Sequence, residues 1–434
     1  MLMDVYVDEE LVGFLDQVDL TTFTFTYLPG TQNNRMVSLL MPVRAESWVH
    51  RFLHPVFQVS LPEGSVRQML TRKFAKHFKY FGDAEMLATI GSHLVGRIKV
   101  APHGALLAEG SPPTILQDLL KESSQELVEH YVAEHVQFSG VSGGFPKFLA
   151  RSPADEDVSA DNAKSTLIFD HWIIKLDDVD RPHLALNEYF GMTLARKMGL
   201  TVPDFHLSAD YTRIAIRRFD FTDTGQHVGF EDMAAMLGLN ASDKFSGSVE
   251  RIIKTINSYC KPLAAQSSRE QFFAQYLACS AIRNGDAHLK NFGLTYTSWE
   301  DVHLAPVFDM VSMGLYAPRA QNGDALDDPA LSLGGVKRWL TNESIAELGK
   351  RCLINPGKQA SIVKRLCSAM EETANEIRVT IENGPPEFCV VGKRLLELWS
   401  HGICVHDPKL AERLKDMAVK AAPNEVCACA DAPS

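Results

Sequence analysis

Asn284-Gly285-Asp286-Ala287-His288-Leu289-Lys290-Asn291-Phe292 is the stretch whose reading decides the fold. An aspartate is followed five residues later by an asparagine, with a basic residue between them. Phosphoryl transfer needs such a cluster. A carboxylate accepts the proton of the attacking hydroxyl, an amide oxygen helps hold Mg²⁺, and a nearby cation offsets charge developing on the phosphate. Asn-Gly-Asp is also ordinary turn chemistry, because Gly tolerates positive φ and Asn and Asp bond their own backbone. Context decides between the two. An apolar-periodic segment (Phe272, Phe273, Tyr276, Leu277, Ala281) precedes the loop, and a second carboxylate ends Ala305-Pro306-Val307-Phe308-Asp309. A helix runs into a polar loop, and a short strand pair then leads to an acid.

The protein-kinase catalytic loop has the same Asp-to-Asn interval in H-R-D-x-x-x-x-N, with Asn284-Gly285 here in place of His-Arg. Asp309 then falls where a kinase-like site puts its second metal ligand. Upstream, His171-Trp172-Ile173-Ile174-Lys175 reads as a strand ending in a lysine, preceded by a further strand over 163–169. A strand-end lysine is usually just exposed. It gains meaning from Glu188, early in a helix expected over 186–198, because kinases pair a helix glutamate with the strand lysine. Gly199 to Pro203 stops that helix. Two strands follow, over 204–207 and 213–220, and the end of the second is where a kinase hinge meets adenine. Phe138-Ser139-Gly140-Val141-Ser142-Gly143-Gly144-Phe145-Pro146-Lys147 is a glycine- and serine-rich loop ending in a cation. Such a loop can cradle phosphate oxygens or simply make a hairpin, and it is neither G-x-G-x-x-G nor a Walker A.

Further out, Thr22-Phe23-Thr24-Phe25-Thr26-Tyr27 alternates as a strand, and Gly64 to Phe81 reads as a basic helix. Ser111-Pro112-Pro113 and the polar run at 121–124 look like a connection between domains. Glu231-Asp232 is expected to open a helix. From there to about residue 420 the chain reads as mostly helical, with caps at Ser268 and Ser361 and stops at Pro262, Gly357 and Pro385-Pro386. The expectation is an α+β, protein-kinase-like two-lobed fold with a small mixed N-terminal domain and a largely helical C-terminal lobe. Its parts are residues 1–115 (α/β subdomain), 116–225 (β-rich nucleotide-binding lobe with the glycine-rich loop) and 226–434 (helical catalytic lobe).

Composition bounds the function. The 434 residues suffice for two or three cores, and 45% hydrophobic with 22% charged content is that of a soluble globular chain. A net charge of −11 argues against the whole surface being a nucleic-acid footprint. No apolar run approaches the roughly 18–20 residues of a bilayer span, and the acidic N-terminus shows no signal peptide, so a cytoplasmic location is expected. None of the eight cysteines forms a Cys-x-x-Cys pair; buried free thiols are the expectation, with Cys427-Ala-Cys429 in a small-residue tail.

In this order the motifs resemble the HipA family of serine/threonine-kinase toxins, over essentially the whole chain. The resemblance is carried by Leu53-His54-Pro55-Val56-Phe57, Leu61-Pro62-Glu63-Gly64, the Ser-Gly-x-x-Pro-Lys loop, Ile173-Ile174-Lys175, Asn187-Glu188-Tyr189-Phe190, Arg218-Phe219-Asp220, the 284–292 stretch and Leu304 to Asp309. It implies roles. Asp286 would be the catalytic base, Asn291 and Asp309 the Mg²⁺ ligands, and Lys147 and Lys175 phosphate contacts. The Arg217-to-Phe219 backbone would meet adenine with Asp220 near the ribose, and His288 and Lys290 would add charge around the phosphates. It also implies self-inactivation by phosphorylation of a loop serine, because a phosphate cannot share a site with those of ATP. Here Gly144-Phe145 replaces the family's Val-Gln, and the usual acceptor position is Gly140, leaving Ser142 or Ser139 as acceptor. HipA itself has Glu where this chain has Arg217; a backbone contact survives that change.

The resemblance further implies a HipB-like helix-turn-helix antitoxin, operator DNA contacted mainly through that antitoxin, a dimer within the complex, and substrates such as an aminoacyl-tRNA synthetase. A second reading is a catalytically silent kinase-fold co-repressor, motivated by the altered loop. A third, a small-molecule kinase of the aminoglycoside phosphotransferase type, shares Asp286 and Asn291 but leaves the N-terminal domain and the Ser-Gly loop unexplained.

Overall fold

The computed structural model describes residues 1–74, 76, 78, 80–108, 114–121, 140, 147–153, 169–178, 180–319 and 325–422. β1 (Leu2–Val7), β2 (Glu10–Gln17), β3 (Thr22–Tyr27) and β4 (Trp48–Arg51) form an antiparallel meander. The alternation in β3 buries Phe23, Phe25 and Tyr27 and leaves the threonines part-exposed, as a half-buried strand requires. Helices α1 (Pro55–Gln58), α2 (Gly64–Phe74) and α3 (Asp83–Ile90) cover the apolar face with Phe57, Leu70 and Leu87. β5 (Ile98–Pro102) then returns beside β1, giving the order β4-β3-β2-β1-β5. α2 is shorter than the helix expected to Phe81. At and beyond its end, Phe74 and Phe78 both lie against Phe81, with ring centroids 6.5 and 5.4 Å away.

The second sheet follows the short helix α4 (Leu116–Leu120) and has the order β6-β7-β9-β8. It comprises β6 (Lys147–Pro153), β7 (Phe169–Leu176), β8 (Phe205–Leu207) and β9 (Arg213–Arg217), with helix α5 (Leu184–Lys197) inserted after β7. Period-two alternation divides β7. Trp172, Ile174 and Leu176 join Phe148 and Leu119 in a small core, while Ile173 and Lys175 face the opposite side. α5 packs there and must pass close to the segment carrying Asp309: a Cβ on Gly191 would stand 1.9 Å from the Met310 carbonyl oxygen, so only glycine fits.

The rest is mainly helical around one large core. β10 (Gly229–Asp232) and α6 (Met233–Met236) lead to α7 (Val249–Tyr259) and α8 (Pro262–Ala281), and β10 pairs with the hairpin β11 (Gly293–Ser298) and β12 (Asp301–Leu304). α9 (Asn342–Arg351), α10 (Pro356–Asn383), α11 (Phe388–Ile403) and α12 (Pro408–Lys420) complete the lobe. Every residue of α8 from Phe272 to Ala281 is buried, the mark of a helix enclosed on all sides, and its end delivers the Asn284–Asn291 loop. Among the described residues no helix is long and apolar enough to cross a membrane.

Several boundaries differ from expectation. Pro262 and Gly357 open α8 and α10 rather than stop a helix, because proline's fixed φ suits the first helical turn. Ser268 and Ser361 lie inside those helices; Lys261 and Asn355 hold the N-cap positions. Glu231 belongs to β10, and only Asp232 caps a helix, accepting from Ala235 N–H at 2.8 Å. Ser139, Ser142, the strand expected over 163–168, Ser111 to Pro113 and Cys427-Ala-Cys429 lie outside the described residues.

Candidate active site

The loop after α8 is braced from within. Arg283 turns the chain at φ +57°, and Asn284 then accepts from the Asp286 N–H at 3.2 Å while its Nδ2 donates to the Asp309 carbonyl at 3.2 Å. Asn291 Nδ2 donates to the Asp286 carbonyl at 2.9 Å. Two amides therefore fix the backbone of Asp286, one tying it to the second acidic segment. A Cβ at Gly285 would lie 2.0 Å from Asp327 Oδ1, so a side chain there would have to displace the Asp327 carboxylate. Burial, and then the Asp309 charge, push the Asp286 carboxyl up to about 6. His288 Nε2 stands 3.9 Å from Asp286 Oδ1. Burial, with Lys244 nearby, lowers His288 to about 4.

Lys175 Nζ donates to Glu188 Oε1 at 2.6 Å and also to Asp309 Oδ1. Glu188 is therefore buried and paired, not a surface acid. Burial disfavours charge on Asp309, but Lys175 and Lys147 overcome this and hold its carboxyl well below the usual range. Burial likewise pulls on Lys175, and Asp309 and Glu188 outweigh it, keeping the ammonium charged. Lys147 faces Lys175 across the β6–β7 register; burial and that neighbour lower it to about 8. Asp309 itself has φ +58°, a left-handed conformation that costs a non-glycine residue energy and that the surrounding contacts must enforce.

The same cleft is walled by Ile173, Ile216, Phe219, Phe230 and Phe308. The three phenylalanine rings pack on one another with centroids 5.3 to 5.9 Å apart, an apolar wall on which a planar ring could stack. At the end of β9 the N–H groups of Arg217 and Arg218 already bond the carbonyls of Asp204 and His171, and the Arg217 guanidinium turns to Asp170 at 2.8 Å. Asp220 accepts from Arg218 Nε at 2.9 Å, from its Nη2, and from the Gly96 N–H at 2.6 Å. Its oxygens thus pin the segment after β9 to the N-terminal region, and although burial raises its carboxyl, Arg218 holds it down to about 2.

The structure therefore brings Lys147, Lys175, Glu188, Asp286, His288, Lys290, Asn291 and Asp309 to one cleft, with Arg217, Phe219 and Asp220 along its edge. Sequence reasoning missed Phe230 and Phe308, the cations Arg181 and Lys244, and Glu63, which binds Lys290 at 2.5 Å and Lys244 at 3.0 Å. Glu63 and Phe308 left a trace, as parts of Leu61-Pro62-Glu63-Gly64 and of Leu304 to Asp309. Asp309 and Asn291 offer the hard oxygen donors that Mg²⁺ prefers, and Asp309 is held ionised. Among the described residues no group of three His, Cys, Asp or Glu could hold a metal alone.

Known proteins match this arrangement. The family described as HipA-like C-terminal domain matches residues 139–374, more than half of the chain, and the HipA N-terminal domain family matches residues 3–101. "Putative kinase Y4dM" of Sinorhizobium fredii is 25% identical over 317 residues, 68% of this chain and 70% of the relative. A protein of Haemophilus influenzae named "Putative kinase" is 27% identical over 178 residues, 37% of this chain and 50% of its own length. Among solved structures, HipA of Shewanella oneidensis MR-1, determined as a toxin–antitoxin complex with HipB and operator DNA, superposes with a TM-score of 0.65 at 17% identity, covering 95% of this chain and 99% of that one.

Proposed function

The chain belongs to the HipA family, and from that premise we propose that it is an ATP- and Mg²⁺-dependent serine/threonine protein kinase, the toxin of a HipBA-type pair. The observation that carries the reading is the Lys175–Glu188–Asp309 ion triad beside Asp286, in a cleft that Phe219, Phe230 and Phe308 also line. In this reading the purine enters between Ile173, Ile216 and the phenylalanines, and the hinge's remaining backbone groups read its edge. Lys175 and Lys147 direct their ammonium groups at the phosphates. Asp286, ionised above about pH 6, accepts the proton of a substrate serine or threonine hydroxyl as its oxygen bonds to the γ-phosphorus and the bond to ADP breaks. Asp309 and Asn291 would hold Mg²⁺, which supplies charge neutralisation at the phosphates. His288, being neutral, is suited to hydrogen bonding rather than to charge neutralisation.

Regulation follows the same proposal. Phosphorylation of Ser142 or Ser139 would put a dianion where ATP phosphates bind and switch the enzyme off. A HipB-like antitoxin would carry the operator contact, in keeping with a chain of net charge −11. An aminoacyl-tRNA synthetase is the substrate class the family suggests. The co-repressor reading has one observation in its favour, Gly144-Phe145 in the loop; the intact Lys175, Glu188, Asp286, Asn291 and Asp309 weigh against it.

Intact-mass and peptide mass spectrometry after incubation with ATP and Mg²⁺ tests the proposal. Wild type is expected to gain one phosphate on Ser142 or Ser139, and Asp286→Asn none. No gain in wild type and no transfer to a protein substrate, with ATP still bound, would sink the kinase reading in favour of a silent co-repressor.

A further inference from the structure

Glu63 is one of the charged groups of the cleft, with Arg181, Asp232 and Lys244, to which the proposed reaction gives no task. It comes from the N-terminal region, directly before α2, with Pro62 restricting the backbone ahead of it. Lys290 Nζ donates to one carboxylate oxygen at 2.5 Å and Lys244 Nζ to the other at 3.0 Å. Both lysines are built into the loop that carries Asp286. Lys290 lies between Asp286 and Asn291, and the Lys244 carbonyl accepts from the Leu289 N–H at 3.1 Å. The side chains of Lys290, Lys244 and Glu63 are only 6%, 20% and 23% exposed, so neither lysine can swing off without stranding a poorly solvated charge.

We propose that Glu63 is a positioning residue for phosphoryl transfer, holding from the N-terminal region the loop that bears Asp286 and Asn291. The proposal rests on the kinase reading above. It gives Lys290 a different job from the one its place beside Asn291 suggests: its ammonium is engaged by a carboxylate, and through that bond the N-terminal region becomes a working part of the site.

The test uses the full chain as wild type, Glu63→Gln and Glu63→Asp, with two readouts. Hydrogen exchange of the peptide covering residues 284–292 needs no turnover. It is expected to rise several-fold in Glu63→Gln while peptides from α8, α10 and β1–β3 exchange as in wild type. Phosphate transfer is expected to lose about tenfold in kcat, the usual scale for an outer partner that orients a reacting group, with the KM for ATP unchanged. Glu63→Asp keeps the charge and is expected to fall between the two. Exchange at 284–292 that stays at the wild-type rate in Glu63→Gln overturns the proposal whatever the activity. So does a rise spread over the whole chain, or a KM for ATP that climbs while kcat holds. A wild type that transfers no phosphate sinks the kinase reading instead, and the exchange measurement still decides whether Glu63 holds the loop.

Discussion

Asp286 carries an unusual burden for a carboxylate: burial and Asp309 raise it to about 6, so its charge is costly to the fold. With an unfolded value near 3.9, that cost is absent below pH 4, grows as pH rises, and is fully present above pH 6. The proposed chemistry needs the costly form. Transfer should therefore fall as pH drops through about 6 and level off above it. Asp286→Asn should abolish transfer yet raise the melting temperature at pH 7.5, which separates lost chemistry from lost folding. A variant that melts below wild type at that pH would contradict this account of the carboxylate. The identity of such residues was legible because chemistry fixes both the residue types and the five-residue interval from Asp286 to Asn291. Their states were not. His288 is lowered to about 4 by its burial, and one of the Asp220 oxygens is taken by the N–H of Gly96, 124 positions away along the chain; neither can be read from the local sequence.

At the scale of elements, the second half of α8 and β3 were readable because each carries a clear pattern, an apolar-periodic run from Phe272 to Ala281 in one and strict alternation in the other. Helix ends were harder. Pro262 after Tyr259 is compatible with a stop or a start, and the residues on both sides, not the proline, decide. Glu231 misled because an acid in a buried strand breaks the pattern that marks strands; it is tolerated only because Ser38, Leu39 and Tyr296 all donate to it. The contact between α5 and the Asp309 segment was invisible in sequence, yet it sets the distance between Glu188 and Asp309. Gly191→Ala would drive a methyl into the Met310 carbonyl, and the helix would have to retreat. The expected outcome is a stability loss of about 1–3 kcal/mol with weakened ATP binding, measured by denaturant unfolding and calorimetric titration. Wild-type affinity in that variant would show that the ion triad tolerates displacement of α5.

For the whole molecule, the small mixed N-terminal domain expected from the sequence is tied to the rest by buried polar contacts. Arg97 donates to the carbonyls of Asn34 and Met36 and, across to β11, to that of Thr297. Glu231 receives Ser38 and Leu39, and Met36 and Leu39 sit in the large C-terminal core. Glu231→Leu would orphan three buried donors at about 1 kcal/mol each, costing roughly 3 kcal/mol. Both the variant and wild type should unfold in one transition, coincident by circular dichroism and tryptophan fluorescence. Two separated transitions would mean that the halves fold independently. The Glu63 bracket and the Gly96–Asp220 bond then bear on inheritance. A gene recombined near residue 110 would pass on a cleft whose two lysines and one hinge had lost their ancestral counterparts, so the two halves are expected to travel together, and hybrids between distant relatives to be born with a mismatched active site.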